Sequence, residues 1–139
     1  NQIIEGYIER NKINRKKMSF NNKENGKFSK TEIKLIKTFK NSSLVECTLH
    51  TGRTHQIRLH LTSINSPVVG DSIYGKNKIA KYGLDKENFN KFLILKNFQR
   101  QALHATHLGF IHPTSKKNIE FKSNLPEDMS DLLGLLLKY

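Results

Sequence analysis

The chain has 139 residues, with 24 Lys or Arg against 12 Asp or Glu and a formal charge of +12. That length allows one domain or part of one, and a charge of that sign attracts a polyanion over a Debye length. A hydrophobic fraction of 36% with 9% aromatics is low for a self-contained globule, and predicts a thin core or one completed by sequence elsewhere. No apolar run approaches the roughly 18 residues of a membrane span. The start, Asn1 to Gly6, has neither a signal-peptide core nor an initiator Met, so the expectation is a soluble chain whose first residue is not a natural start. A single cysteine, Cys47, excludes an internal disulfide and a multi-cysteine zinc site, and it reads as a reduced core thiol.

From Asn1 to about Lys30 the sequence is polar and basic with scattered apolar anchors and no helical period, which predicts extended chain and loops. Ile33, Leu35, Ile36 and Phe39 fall in a strand over 31–39. Val45, Cys47 and Leu49 alternate with Glu46, Thr48 and His50 in a second, so the two predict a hairpin joined at Lys40 to Ser42. Gly52 permits a sharp turn, after which Thr54 to about Ser63 reads as a helix with Ile57 and Leu61 on its apolar face. Ser66 to Gly75 is a structured connection, and Phe89, Phe92, Leu93 and Leu95 suggest a short helix from about Lys86 to Lys96. The segments 104–112 and 118–122 pair as a second hairpin across a turn at Pro113 to Lys117. Beyond Pro126, Glu127 and Asp128 complement a positive helix end, and Met129, Leu132, Leu133 and Leu136 recur at helical spacing. This count of strands and helices gives an α+β class.

The ten residues from Thr51 to His60 hold two guanidiniums, two imidazoles and an amide around one turn. On a helix, Arg58 lies one turn beyond His55 and beside Ile57, so its charge is partly desolvated and calls for a carboxylate or phosphate. The competing reading is a solvated basic turn. His50, His55 and His60 recur every five residues, which on a helix sets successive rings about 140° apart, so they do not converge on a metal. His104 and His107 point to opposite faces of a strand, and no zinc set is completed. No nucleophile elbow or glycine-rich phosphate loop is present.

The run from Thr51 to His60, followed by Pro67, Gly70, Asp71, Tyr74 and Gly75, closely resembles the signature of the RluA-type pseudouridine synthase family. The resemblance continues through Arg100 to Ala105, His112 and Pro113, Leu125 and Pro126, and Asp128 and Met129, and includes Gly6, Arg15, Lys17, Met18 and the stretch from Lys27 to Thr31. Within the family, Val69 to Asp71 and Arg100 to Thr106 look most like the branch that modifies 23S rRNA. The resemblance implies a pseudouridine synthase fold on a mixed, mainly antiparallel sheet with flanking helices, of which this chain is the C-terminal portion. It implies no cofactor and ribosomal RNA as partner, and the expectation is a monomer with no metal and no membrane; richness in Asn, Lys and Ile suggests an AT-biased genome, which leaves a bacterial cytoplasm and an organelle both open as location. Enzymes of this family break the bond between uracil N1 and ribose, turn the base and rejoin it through C5, using one aspartate in a His-Arg-Leu-Asp motif.

That motif has no match here. The pair Leu84 and Asp85 lacks the flanking residues, so Asp85 is not taken as the nucleophile, and Asp71 reads as structural. The family's active-site tyrosine also lies on a strand motif without a match. By position, the resemblance makes Arg58 the ion-pair partner of an aspartate outside this chain, and Leu103 the apolar residue against which a flipped uracil packs, unless it is simple core. Arg53, His55, Gln56, His60 and Arg100 become candidates for phosphate, ribose or site-supporting contacts. Two other readings stand beside the enzyme: a catalytically silent RNA-binding module, which the charge alone supports, and a DNA recognition helix over 54–63.

Overall fold

The structure, a computed structural model, describes residues 1–75 and 93–138. Its first sheet has the order β2-β1-β3-β4, from β1 (Gln2–Arg10), β2 (Met18–Asn21), β3 (Lys27–Phe39) and β4 (Ser42–Leu49). All three pairings are antiparallel, with Ile4 opposite Thr31 and Ile33 opposite Cys47. The hairpin of β3 and β4 lies where alternation placed it. The extended chain expected before Lys30 is present as β1, β2 and the first residues of β3, and the loops are confined to the connections between them.

The buried face of β1 and β3 explains why those strands show no clear alternation before Thr31. On β1 it consists of Ile4, Gly6 and Ile8, and on β3 of Ser29, Thr31 and Ile33. Half of that face carries no large apolar side chain, so the period-two signal is weak. Gly6 is required there: a Cβ would lie 2.5 Å from the Phe20 ring, which crosses over it from β2. Helix α1 (Gln56–Ser63) covers this face. Ile4, Ile33, Leu61 and Val68 form the first core cluster, with Phe20, Val45, Cys47, Ile57 and Ile64 packed against it. Ile57 is therefore half-buried rather than central. Burial pushes the Cys47 thiol up, and Glu46 adds to the shift.

A second, two-stranded sheet is built from β5 (His107–Ile111) and β6 (Asn118–Lys122), and α2 (Glu127–Lys138) follows. Leu132 and Leu136 of α2 meet Leu95 in a second cluster, flanked by Phe39, Val69, Phe98 and Ala102. The helix expected from about Lys86 lies outside the described residues as far as 92; residues 93–96 are helical. The two small clusters match the low apolar content. Leu108, Ile111 and Phe121 of the second sheet stay more than half exposed. Among the described residues no helix is long and apolar enough to cross a membrane. The arrangement is α+β, as the element count predicts.

Candidate active site at the turn into helix α1

The turn from β4 into α1 is held by one buried amide. Gln56 Oε1 accepts from Thr51 Oγ1 at 2.8 Å and from the Arg53 backbone N–H at 3.0 Å. Its Nε2 donates to Lys30 O and to Thr31 Oγ1 on β3 at 3.0 and 2.9 Å. Gln56 is only 3% exposed, so it fixes the turn and does not reach a ligand. The helix starts two residues later than expected because His55 is its N-cap in the left-handed region, at φ 59°. Such a backbone conformation is sparsely populated for a residue with a Cβ, and persists only where its surroundings hold it. Here the holding contact is Tyr74, whose Oη shares a 2.9 Å hydrogen bond with His55 Nδ1 and accepts from the Met18 N–H at 2.9 Å.

One helical turn on, Arg58 donates from Nε and Nη2 to the two oxygens of Asp71 at 2.7 and 2.9 Å. Arg58 thus has a carboxylate partner inside the chain, separate from the catalytic aspartate that the resemblance places outside it. Asp71 Oδ1 also accepts from the Ile73 and Tyr74 N–H groups, both at 3.0 Å. The Asp71 side chain is fully buried and that of Arg58 is 11% exposed. Burial pushes the Asp71 carboxyl up. The Arg58 guanidinium and the two N–H groups outweigh it and hold the carboxyl below its ordinary range. Hydrogen bonding to Asp71 raises Arg58 further. The guanidinium lies 4.8 Å from the centroid of the Tyr74 ring, within cation–π range. Burial and the nearby Arg58 charge lower His55, which is therefore neutral at pH 7. Asp71 occupies the Nε and Nη2 side of the fork. Among the described residues Nη1 makes no hydrogen bond, which leaves that corner for a further anion.

The other sequence-derived candidates divide between this site and its supports. His60 is completely buried, so direct contact with RNA is corrected to a supporting role. Ser29 spends its hydroxyl proton on Gly6 O at 2.9 Å, so the 2.9 Å contact with His60 Nε2 needs the proton on that nitrogen. Among the described residues His60 Nδ1 is then a buried acceptor without a partner, with the ring edge-on to Phe20 at 4.7 Å between centroids. Burial lowers its pKa and keeps the ring neutral. Of His50, His55 and His60 only the last lies on α1, and the three rings part: His50 turns to Glu32 at 3.7 Å, His55 to Tyr74 and His60 to Ser29.

Residues 100–103 are brought against the Asp71 turn. Ala102 N–H donates to Val69 O at 2.8 Å, and the Arg100 carbonyl lies so close to Gly70 (φ +74°) that no Cβ fits. Arg100 pairs with Asp128 of α2 through two 2.7 Å bonds and donates from Nη1 to the Gln101 and Leu103 carbonyls at 2.9 and 3.2 Å. It acts as a strap that shapes the loop. Leu103 is 38% exposed and outside both core clusters, so simple core is not its place. Arg53 donates from Nε to Phe28 O at 2.9 Å and faces a separate cleft beside Thr54. Sequence reasoning passed over two members of the site, Asp71 as partner of Arg58 and Tyr74 as the link between His55 and Arg58. The signal was available, since a half-buried Arg needs an anion and Asp71 and Tyr74 belong to the same signature.

The comparisons with known proteins agree with this architecture. The solved structure of human RNA pseudouridylate synthase domain containing 4 superposes with a TM-score of 0.68 at 22% identity, covering 98% of this chain and 56% of that one. The fold is thus that of a pseudouridylate synthase domain. A family profile described as RNA pseudouridylate synthase matches residues 1–63. The ribosomal large subunit pseudouridine synthase D of Zymomonas mobilis is 42% identical over 134 residues, 96% of this chain and 40% of that protein. Its namesake from Buchnera aphidicola subsp. Baizongia pistaciae is 43% identical over 138 residues, 98% of this chain and 41% of that protein. The chain belongs to the RNA pseudouridine synthase family, and it spans about two fifths of the length of these relatives.

Proposed function

We propose that the intact protein isomerises specific uridines of large-subunit ribosomal RNA to pseudouridine, and that this chain is the C-terminal portion of its catalytic domain. The observation that carries the reading is Arg58: a guanidinium clamped on one side by Asp71 and Tyr74, with Nη1 left over. In this reading Nη1 meets the catalytic aspartate of the family, supplied by sequence outside this chain, and keeps it ionised and oriented. Asp71 cannot itself be that aspartate, because both its oxygens are occupied in a buried ion pair. Leu103, exposed beside the Asp71 turn, is the surface for the flipped uracil. His55 and Gln56 hold the turn, and Arg100 holds the loop of Leu103. The half-exposed apolar strands β5 and β6 are covered by the rest of the domain. Ribosomal RNA in the compartment where ribosomes are made is the partner, consistent with the +12 charge and with the names of the relatives.

The test is single-turnover conversion of an rRNA fragment by the intact protein and its Arg58→Ala and Arg58→Lys variants, with RNA binding measured in parallel. Both variants should lose at least 100-fold in rate, about 2.7 kcal/mol of barrier, while RNA binding persists. Normal turnover by Arg58→Ala removes Arg58 from the mechanism. Binding without any product from the unsubstituted protein favours the catalytically silent RNA-binding module.

A further inference from the structure

A second basic feature lies apart from the Arg58 corner. The end of β1, the start of β3 and the turn at Gly52 and Arg53 enclose an open cleft of about 450 Å³, within the roughly 300–1,000 Å³ usual for ligand sites. Three cations line it from three different segments: Arg10, Lys27 and Arg53. The register brings the segments together, since Arg10 pairs with Met18 and Lys27 with Ile8. Gly26 makes the tight entry to β3 at φ +114°, where a Cβ would lie 2.6 Å from Ile8 O.

Arg10 uses Nη1 on Arg15 O at 3.0 Å and Arg53 uses Nε on Phe28 O at 2.9 Å, so each guanidinium is anchored by one nitrogen. Among the described residues the Lys27 side chain makes no ion pair or hydrogen bond. Among the described residues the one carboxylate on the wall, Glu9, accepts from Asn21 Nδ2 at 3.1 Å, and the cleft keeps a net positive charge. Met18 belongs to both places: it lines the cleft, and its N–H donates to Tyr74 Oη beside Arg58.

We infer that this cleft is a phosphate-binding track, in which Arg10, Lys27 and Arg53 hold the backbone of RNA on its way to the Arg58 corner. The inference rests on the reading that the substrate is RNA and names how that substrate is held. Anchored guanidiniums suit it, because phosphate contacts fix the position of a strand without reading its sequence. Each phosphate contact contributes about 0.7–0.9 to the slope of log affinity against log salt.

The experiment compares the full-length protein with Arg10→Gln/Lys27→Gln and with Lys116→Gln/Lys117→Gln, which removes the same charge from the turn between β5 and β6. The affinity for an rRNA fragment is measured from 50 to 200 mM salt. The cleft pair should lower the slope by about 1.4–1.8, so that the loss of affinity across that fourfold range shrinks by about 7–12-fold; the control pair should leave the slope in place. Lys27→Gln alone should give about half the effect and guards against a folding defect in the double variant. An unchanged slope in the cleft variants overturns the inference, and so does an equal fall in both pairs, which assigns binding to net charge. Absence of pseudouridine from the unsubstituted protein overturns the enzymatic reading instead and leaves the slope comparison readable.

Discussion

Replacing Asp71 tests the physical claim on which the site is built. In Asp71→Ala a guanidinium that is 11% exposed loses both bonds of its fork, and the Ile73 and Tyr74 N–H groups lose their acceptor. Breaking a buried pair from one side costs about 3–5 kcal/mol, because the remaining charge is left uncompensated. Asp71→Asn keeps one oxygen for the two N–H groups but sets an amide N–H against the guanidinium, and should cost about 2 kcal/mol or more. Urea unfolding of the intact protein at pH 7 reads both. The cycle with Arg58→Met should show a coupling of about 2 kcal/mol or more, since removing both charges also removes the uncompensated one. The acid limb supplies a second readout. The folded Asp71 pKa lies below its unfolded value, so its contribution is complete above about pH 4 and is lost as pH falls through the folded value. Asp71→Asn should lack that part of the acid limb. An Asp71→Ala protein within about 1 kcal/mol of the unsubstituted one would refute the buried-pair argument.

Other outcomes follow from the supports. His60 is buried and neutral with its pKa lowered, so the unfolded chain takes up its proton first and stability should fall as pH drops below about 6.5; His60→Gln should flatten the loss between pH 7 and 5.5 in thermal unfolding, after correction for His55, which is shifted the same way. Gly70→Ala meets both a left-handed φ and the Arg100 carbonyl, and should destabilise the protein by more than about 1 kcal/mol. Proteolysis between residues 98 and 103 should accelerate in that variant, and unchanged cleavage would deny the docking of the Leu103 loop on this turn. Leu132→Ala should cost about 2–5 kcal/mol in urea unfolding, because Leu132 is a centre of the second small core.

What the sequence revealed follows from where side chains carry the packing. Val45, Cys47 and Leu49 against Glu46, Thr48 and His50 identify β4, and Met129, Leu132 and Leu136 identify α2, because apolar side chains there make the contacts. The first sheet was hidden where hydroxyls and glycine do so. Gly6 and Ser29 fall in the stretch without a clear period, yet with Thr31 they form the floor on which His60 and Gln56 rest. For the same reason His60 and Gln56 resembled ligand contacts: polar groups satisfied inside a fold look, in sequence, like polar groups waiting for a partner. Arg58 was singled out by its desolvation. Its carboxylate partner, 13 positions further on, was legible only as a turn residue until the chain was folded.

Pseudouridine mapping of large-subunit rRNA, in cells lacking the gene and in the same cells given either the unsubstituted protein or Arg58→Ala, is the deciding measurement for the proposed isomerisation and for the role of Arg58 in it. The expected pattern is a small set of positions that revert to uridine without the gene, return with the unsubstituted protein, and stay uridine with Arg58→Ala. Identical maps with and without the gene, or full restoration by Arg58→Ala, would contradict it.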